Sequence, residues 1–334
     1  MDGAVSTPPL RVAVVGTGRW AEEHARVFAR HPGTTLCAVL GRDPGRTATR
    51  AAAYGATPYT DLDQLLDRER PELVSVSLPN EHHFDLTLAL VRTGIPLLVE
   101  KPLVFDLDEA DQLLAEAAGR GTFFAMNFNH RYAVPVQRAR KAVQEGRIGD
   151  PLYATWRFGG EPGTSAHPHA NLIETQCHGI DMLEWLCGPI ESVMCECTDR
   201  TGHGFSTLTL ALRFGSGAVG ALVGTYDSSY AYPQTHRLEI GGTRGRIVVD
   251  DTVRRFSLTR AGDEVHEVWE AGYFNDDDRM FSRMFDRHLD ELVPALRGGG
   301  QPPIHAGAGR RALAVAWAAI SSFETGKRVS VDAG

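Results

Sequence analysis

A short apolar run, Leu10-Arg-Val-Ala-Val-Val15, breaks at Gly16-Thr-Gly18-Arg-Trp-Ala21 and passes directly into a helical pattern that ends near His31. This order of strand, glycine turn and helix restricts the possible folds more than any other feature of the chain. Gly16 permits a tight turn, Gly18 lets the backbone approach a pyrophosphate, and Ala21 is small enough for helix and strand to pack closely. The free N–H groups at the start of the helix then face the anion. The alternation continues with a strand from Thr35 to Gly41 and a helix from about Pro44 to Tyr54, stopped by Gly55. Strand Leu73–Ser77 leads through Leu78-Pro79-Asn80 into a helix that reaches about Thr93 and stops at Gly94. Strand Pro96–Val99, helix Asp106–Ala118 and strand Thr122–Met126 complete the series. Such a βαβα succession implies a parallel, doubly wound sheet.

The pattern changes after Asn129. A helix over about Val134–Glu145 ends at Gly146, and after a polar loop a second covers about Leu172–Leu186. Strand-like runs follow at Ser192–Thr198, Phe205–Phe214, Ala218–Tyr226, Thr235–Ile240, Arg246–Val249 and Arg254–Thr259. Gly215-Ser-Gly217 and Gly241-Gly-Thr-Arg-Gly245 mark hairpins. Two helices, near Asp276–Leu296 and His305–Thr325, close the chain. The expected architecture is α/β: a dinucleotide-binding Rossmann domain over residues 10–128, then an α+β domain with an open, largely antiparallel sheet over 129–334. The runs Thr207–Leu212 and Ala218–Val223 hold apolar residues at alternating positions on both faces, as a sheet covered on both sides requires. A homo-dimer or homo-tetramer built on that sheet is expected.

Composition removes several functional classes. The 334 residues are 43% hydrophobic and carry a net charge of −8 with no basic block, so a nucleic-acid partner is not expected. No apolar run reaches the roughly 18 residues of a membrane span. The residues from Met1 to Pro9 lack the regions of a signal peptide and read as a loose tail. The five cysteines are scattered, and Cys195-x-Cys197 places both side chains on one face of a strand. Reduced cysteines in a cytoplasmic protein, with no metal site, are the expectation.

The end of the second strand selects between NAD and NADP. An acid there would hold the ribose 2′-hydroxyl, but this chain has Leu40-Gly41-Arg42-Asp43. Gly41 takes the acidic place, and the Arg42 guanidinium suits a 2′-phosphate, a slight lean to NADP. The alternative is that Arg42 stacks on adenine while Asp43 caps the next helix before Pro44.

Val99-Glu100-Lys101-Pro102-Leu103 sets an ionisable pair at the carboxyl end of a buried strand, the edge where ligands bind in an open α/β sheet. In the second domain, Glu174 and His178 are four residues apart and His178 and Asp181 three. All three therefore fall on one side of a helix, beside an apolar stripe of Ile173, Cys177, Ile180 and Cys187. A histidine between two carboxylates has its protonated form favoured and its orientation fixed, which suits a general acid or base. The other reading is a helix-surface ion pair.

The glycine loop, Pro79-Asn80-x-x-His83, Glu100-Lys101-Pro102-Leu103 and Glu174-x-x-x-His178-x-x-Asp181 occur in that order and resemble the Gfo/Idh/MocA oxidoreductases over nearly the whole chain. The resemblance implies that Lys101 is the active-site lysine and His178 the catalytic histidine, with Glu174 where many members have aspartate and Gln176 where many have glycine. It puts Asn80 and His83 near the nicotinamide and its ribose, and Arg131 and Tyr132 at the start of the second domain. Cofactor contacts are expected from Gly16, Gly18, Arg19, Trp20 and Arg42. Leu78, Asn80, His83, Glu100 and Lys101 complete that set. Substrate contacts are expected from Lys101, Arg131, Glu161, Glu174, His178 and Tyr230, with Asp227 and Tyr232 beside Tyr230 on the wall across from the polar loop Gly159–Asn171 that carries Glu161.

The expected activity is hydride transfer between a nicotinamide cofactor, NAD or NADP, and a hydroxyl or keto group of a sugar, cyclitol or aminosugar-type substrate. His178 would be the acid or base. Lys101 would bind the reacting oxygen, and Glu174 would orient His178 or bind a second hydroxyl. Three alternatives stand beside it: an NAD-dependent glycoside hydrolase acting by transient oxidation, a non-enzymatic dinucleotide-sensing protein, and an amino-acid dehydrogenase of related fold.

Overall fold

Consecutive buried strands joined by capped helices build the first half of the chain. The computed structural model describes residues 8–79, 83–160, 165–272 and 280–332. The order is β1 (Leu10–Val15), α1 (Arg19–Arg30), β2 (Thr34–Leu40), α2 (Pro44–Ala52), β3 (Thr57–Tyr59) and α3 (Leu62–Glu69). Then come β4 (Leu73–Val76), α4 (His83–Thr93), β5 (Leu97–Val99), α5 (Leu107–Arg120) and β6 (Phe124–Met126). The six strands pair in the order β3-β2-β1-β4-β5-β6, all parallel. β1, β4 and β5 are buried almost throughout, as strands covered on both faces must be. Asp43, Asp61 and Asp106 accept hydrogen bonds from the first-turn N–H groups of α2, α3 and α5. The sequence reading passed over β3 and α3, which are short.

The second half runs from a 3₁₀ turn (Asn129–Tyr132) through α6 (Val134–Gln144), β7 (Pro151–Gly159), a π-helical turn (Asn171–Thr175) and α7 (Cys177–Cys187). Strands β8 (Ile190–Thr198), β9 (Thr207–Phe214), β10 (Val219–Thr225), β11 (His236–Gly242), β12 (Gly245–Asp250), β13 (Arg255–Arg260) and β14 (Glu267–Glu270) follow. Helices α8 (Arg283–Arg297) and α9 (Gly307–Thr325) and strand β15 (Val329–Ser330) end the described chain. The nine strands form one sheet, β14-β13-β12-β11-β7-β10-β9-β8-β15, antiparallel except where β7 meets β10. β7, its central strand, is absent from the sequence reading. Only Ala154, Trp156 and Phe158 of β7 alternate inward, too short a run to stand out beside Pro151 and Gly159.

Two compact units result. The first takes in the chain up to Asn127 together with Phe285–Gly307, and the second Phe128–Met284 with the residues from Ala308 on. The first unit thus passes to the second between Asn127 and Phe128, and Phe285–Gly307 returns to the first. Phe285, Leu289, Leu292 and Val293, one stripe of α8, join Leu10, Val12, Ala25, Phe28 and Val39 in the core of the first unit. Ile304 and Ala306 then hydrogen-bond along β6.

On β9 the inward set is Leu208, Leu210, Leu212 and Phe214, whereas Thr209, Ala211 and Arg213 are exposed. The outer face is thus mixed rather than apolar, with Val219, Val223 and Val268 among its exposed large apolar residues. Cys195 and Cys197 share a face of β8, their sulfurs 3.3 Å apart. Among the described residues no helix is long and apolar enough to cross a membrane.

Candidate active site

In the first unit, the candidate site lies along the carboxyl ends of β1, β4 and β5. Gly16 has φ +125°, and a Cβ there would fall 2.0 Å from the Ser77 carbonyl oxygen at the end of β4. Only glycine fits this turn. Gly18 opens α1 with φ −74°, and no side chain caps that helix. A Cβ on Gly18 would meet nothing within 4 Å. The start of α1 therefore directs backbone N–H groups into open space, which fits a pyrophosphate. Arg19 and Trp20 stand exposed on its first turn, while Ala21 is buried. Leu78 is half-buried just beyond β4, and Asn80 lies outside the described residues.

Gly41, in the place of the usual acid, is packed shut. A Cβ there would lie 2.4 Å from Thr17 Cγ2 and 2.5 Å from Thr47 Oγ1. Arg42 is exposed next to it. Asp43 caps α2, accepting a hydrogen bond from the Arg46 N–H at 2.7 Å.

The ionisable pair after β5 splits. Lys101 is half-buried, whereas Glu100 turns into the fold and is 6% exposed. Its Oε1 accepts from Asn127 Nδ2 at 2.6 Å and lies 2.8 Å from His24 Nε2, and its Oε2 accepts from the Lys101 N–H at 3.1 Å. His24 Nδ1 meets Ser75 Oγ at 2.6 Å, and His288 Nδ1 donates to Asn127 Oδ1 at 3.1 Å. Burial opposes the charge on Glu100, but the bond to His24 and the charges of His24 and Lys101, with Asn127, prevail and hold its carboxyl below the usual range. The expected cofactor contact by the Glu100 side chain is thus corrected. It is an internal anchor, because three polar partners wait for it inside. His83, expected near the nicotinamide, is buried at the start of α4 and donates from Nδ1 to the Leu103 carbonyl at 3.0 Å. Burial keeps its imidazole below the ordinary pKa, so it is neutral. Its Nε2 has no partner among the described residues.

In the second unit the expected helix from Leu172 is interrupted. Gln176 N–H bonds back five residues to the Asn171 carbonyl, closing a π turn, and α7 starts only after it. Glu174 belongs to the π turn and His178 to α7, so the two do not lie on one regular α-helix. Gln176 is fully buried and donates to Asn171 Oδ1 at 3.0 Å. Asp181, three residues after His178, has a partner from earlier in the chain. Arg131 holds it with two bonds, Nε to Oδ2 at 2.9 Å and Nη2 to Oδ1 at 2.5 Å. Burial pushes the Asp181 carboxyl up and the guanidinium opposes this. Arg131 is thereby engaged inside the unit rather than offered to a substrate. It also stacks over Trp185 and lines a hollow of about 550 Å³ with Glu184 and Arg311.

His178 is 7% exposed, and His130 lies flat against it with ring centroids 4.0 Å apart. A smaller hollow of about 240 Å³ is lined by Ser165, His167, His203 and Tyr226. The Tyr226 hydroxyl meets Thr175 Oγ1 at 2.7 Å, and burial pushes its pKa up. Tyr230 and Tyr232 are exposed, and Glu161 lies outside the described residues. Asp227 accepts from the hydroxyls of Thr201, Ser206 and Thr207, which makes it a loop anchor. The sequence reading missed His24, Asn127, His130 and Tyr226. Only His24, one helical turn beyond Ala21 on the face toward the sheet, left a local signal.

The chain matches a family model described as "Oxidoreductase family, NAD-binding Rossmann fold" over residues 10–128, and the "GFO/IDH/MocA C-terminal domain" over 136–248. Myo-inositol 2-dehydrogenase of Thermotoga maritima is 25% identical over 97% of this chain and 99% of its own length. A 2,7-anhydro-N-acetylneuraminate hydratase of Mediterraneibacter gnavus is 27% identical over 87% of this chain and 80% of its own. Among solved structures, levoglucosan dehydrogenase in complex with NADH and L-sorbose superposes with a TM-score of 0.87 at 19% identity, covering 98% of this chain and all of that one (100%).

Proposed function

We propose, on the premise that this chain belongs to the Gfo/Idh/MocA oxidoreductase family, that it is a nicotinamide-dependent dehydrogenase acting on a CH–OH group of a sugar, cyclitol or aminosugar. The supporting observation is the carboxyl edge of the first unit's sheet: open space over Gly18 at an uncapped helix start, with Lys101 following a strand of the same edge. Gly16, Gly18 and the first turn of α1 would hold the pyrophosphate. When bound, the cofactor supplies the hydride acceptor. Lys101 would hold the substrate oxygen with its ammonium group and stabilise the negative charge that grows there. His178 would take the proton of the same hydroxyl in oxidation and return it in reduction. The named substrates of the relatives support a polyhydroxylated ligand. The neutral groups of the smaller hollow, His167 held low by burial and Tyr226 pushed up, support it as well. We also assign assembly into a homo-oligomer to the outer face of the nine-stranded sheet.

Melting-shift measurements with NAD and NADP, followed by turnover assays across cyclitols, sugars and amino sugars, test the reading. No cofactor shift and no turnover in a folded protein would end it. Gly18→Glu is expected to fold, since its φ is ordinary and its Cβ meets open space. It should nevertheless lose dinucleotide binding by calorimetry, because its carboxylate takes the anion's place. Normal affinity would remove the loop from the cofactor site.

Arg42 supports a lean to NADP, since the packed Gly41 leaves no room for a ribose-binding acid. Arg42→Ala should weaken NADP by roughly tenfold or more, the value of a charge-assisted contact of about 1.5–3 kcal/mol, and NAD far less. Equal losses would favour adenine stacking. The hydratase among the relatives favours a second reading, redox-neutral turnover with a retained cofactor. Turnover without added nicotinamide would distinguish it.

A further inference from the structure

The second unit holds two imidazoles face to face. The rings of His130 and His178 are 4.0 Å apart and within 8° of parallel. They are 2% and 7% exposed. Phe158 turns its ring edge-on to both, at 5.8 Å from His130 and 6.4 Å from His178. Phe128 approaches His178 at 5.9 Å, and Phe281 approaches His130 at 5.6 Å. Three phenyl rings therefore keep water from a pair that would otherwise charge freely.

Like charges this close, screened as in a protein interior, separate two protonations by on the order of three pH units. A neutral imidazole beneath an imidazolium has no such cost, because its π face accepts the charge. We propose that His130 is a positioning residue for His178, the stacked pair accepting one proton and refusing a second across neutral pH. The pair titrates as one unit rather than as two separate sites. This rests on the reading of His178 as the proton-handling group. When the substrate O–H bond breaks, its proton binds a ring nitrogen of His178, and His130 stays neutral against it. The flat contact also fixes the plane of the acting ring.

Several of the other ionisable groups on the elements around the pair are engaged elsewhere or neutral. Asp181 and Arg131 close on each other, and Arg140 of α6 turns to the Trp185 carbonyl. His236 of β11, beyond Phe158, is held at about 4 by burial and is neutral, as is Tyr226 after β10. Among the described residues, Glu174 on the π turn, Cys177 on α7 and Arg283 on α8 are further ionisable groups on these elements.

The test is a proton NMR titration of the histidine Cε1–H signals in the full chain, over about pH 5 to 8, with His130→Phe and His178→Phe used for assignment. The wild type should take up one proton on the pair, and each variant should titrate as a single site with a displaced midpoint. Uptake of two protons, or of none, would overturn the proposal. Should His178→Phe misfold, His130→Phe alone identifies the second signal. On any substrate turned over, His130→Phe should move the acid limb of kcat/KM by at least about half a pH unit, a readout that mere support of the fold would not move. An unmoved limb counts against the proposal. The titration needs no substrate, so an inactive protein would refute the catalytic reading of His178 while the proton count stays measurable.

Discussion

Lys101→Ala and His178→Ala should each fold, bind the cofactor and lose about 10²–10⁴-fold in kcat, the usual contribution of a positioned acid or base. In the proposed mechanism, the loss for His178 would follow from removal of the proton acceptor. For Lys101 it would follow from removal of the charge that steadies the developing alkoxide. The backbone that carries Lys101 is fixed by its own N–H to Glu100, which alanine keeps. The double variant should lose little more than the worse single one if both side chains serve the one proposed proton-transfer step. Steady-state kinetics on a substrate found by screening decides the matter. A kcat near wild type in either variant would remove that residue from the mechanism.

The second large effect concerns stability. Glu100→Ala removes one partner of a buried ionic cluster and leaves His24 and Asn127 facing an empty site. A loss of about 3–5 kcal/mol is expected, read by denaturant unfolding. Glu100→Gln should lose less, because an amide oxygen still accepts from Asn127. The folded carboxyl lies below its ordinary value of 4.5. Its contribution is therefore complete above that value and disappears as pH falls through the lower, folded one. Wild type should lose stability in acid more steeply than Glu100→Gln, and parallel curves would refute the internal-anchor role.

The parts of this molecule that could be read from the sequence are those whose physical cause is local. The loop Gly16–Ala21 announced itself because turn, close approach and helix start all act within six neighbouring residues. The cap at Asp43 and the stops at Gly55 and Gly94 are local too. What was missed depends on partners far along the chain. β7 sits at the centre of its sheet, but nothing in Pro151–Gly159 states which strands flank it. Asp181 was read against His178, three residues away, whereas its partner Arg131 lies 50 residues back. The π turn at Asn171–Thr175 interrupts the regular helical spacing, which no local signal announces. Glu100 was read as facing a ligand because a charge at a strand end usually does. Only the positions of His24, Ser75 and Asn127 turn it inward.

The return of Phe285–Gly307 to the first unit affects how this protein is made. A ribosome extends a chain from its N-terminus, and domains generally fold as they emerge. Here the six-stranded sheet is complete by Met126, but the apolar strip meant for Phe285, Leu289, Leu292 and Val293 stays uncovered until α8 has been translated. The nascent first unit must therefore carry an open greasy surface while all but the last strand of the second sheet is synthesised. During that interval it is a natural client for a holding chaperone. Release of the chain by a premature stop before codon 285 would leave that surface open for good, and such fragments should aggregate even though every strand of the dinucleotide-binding sheet is present.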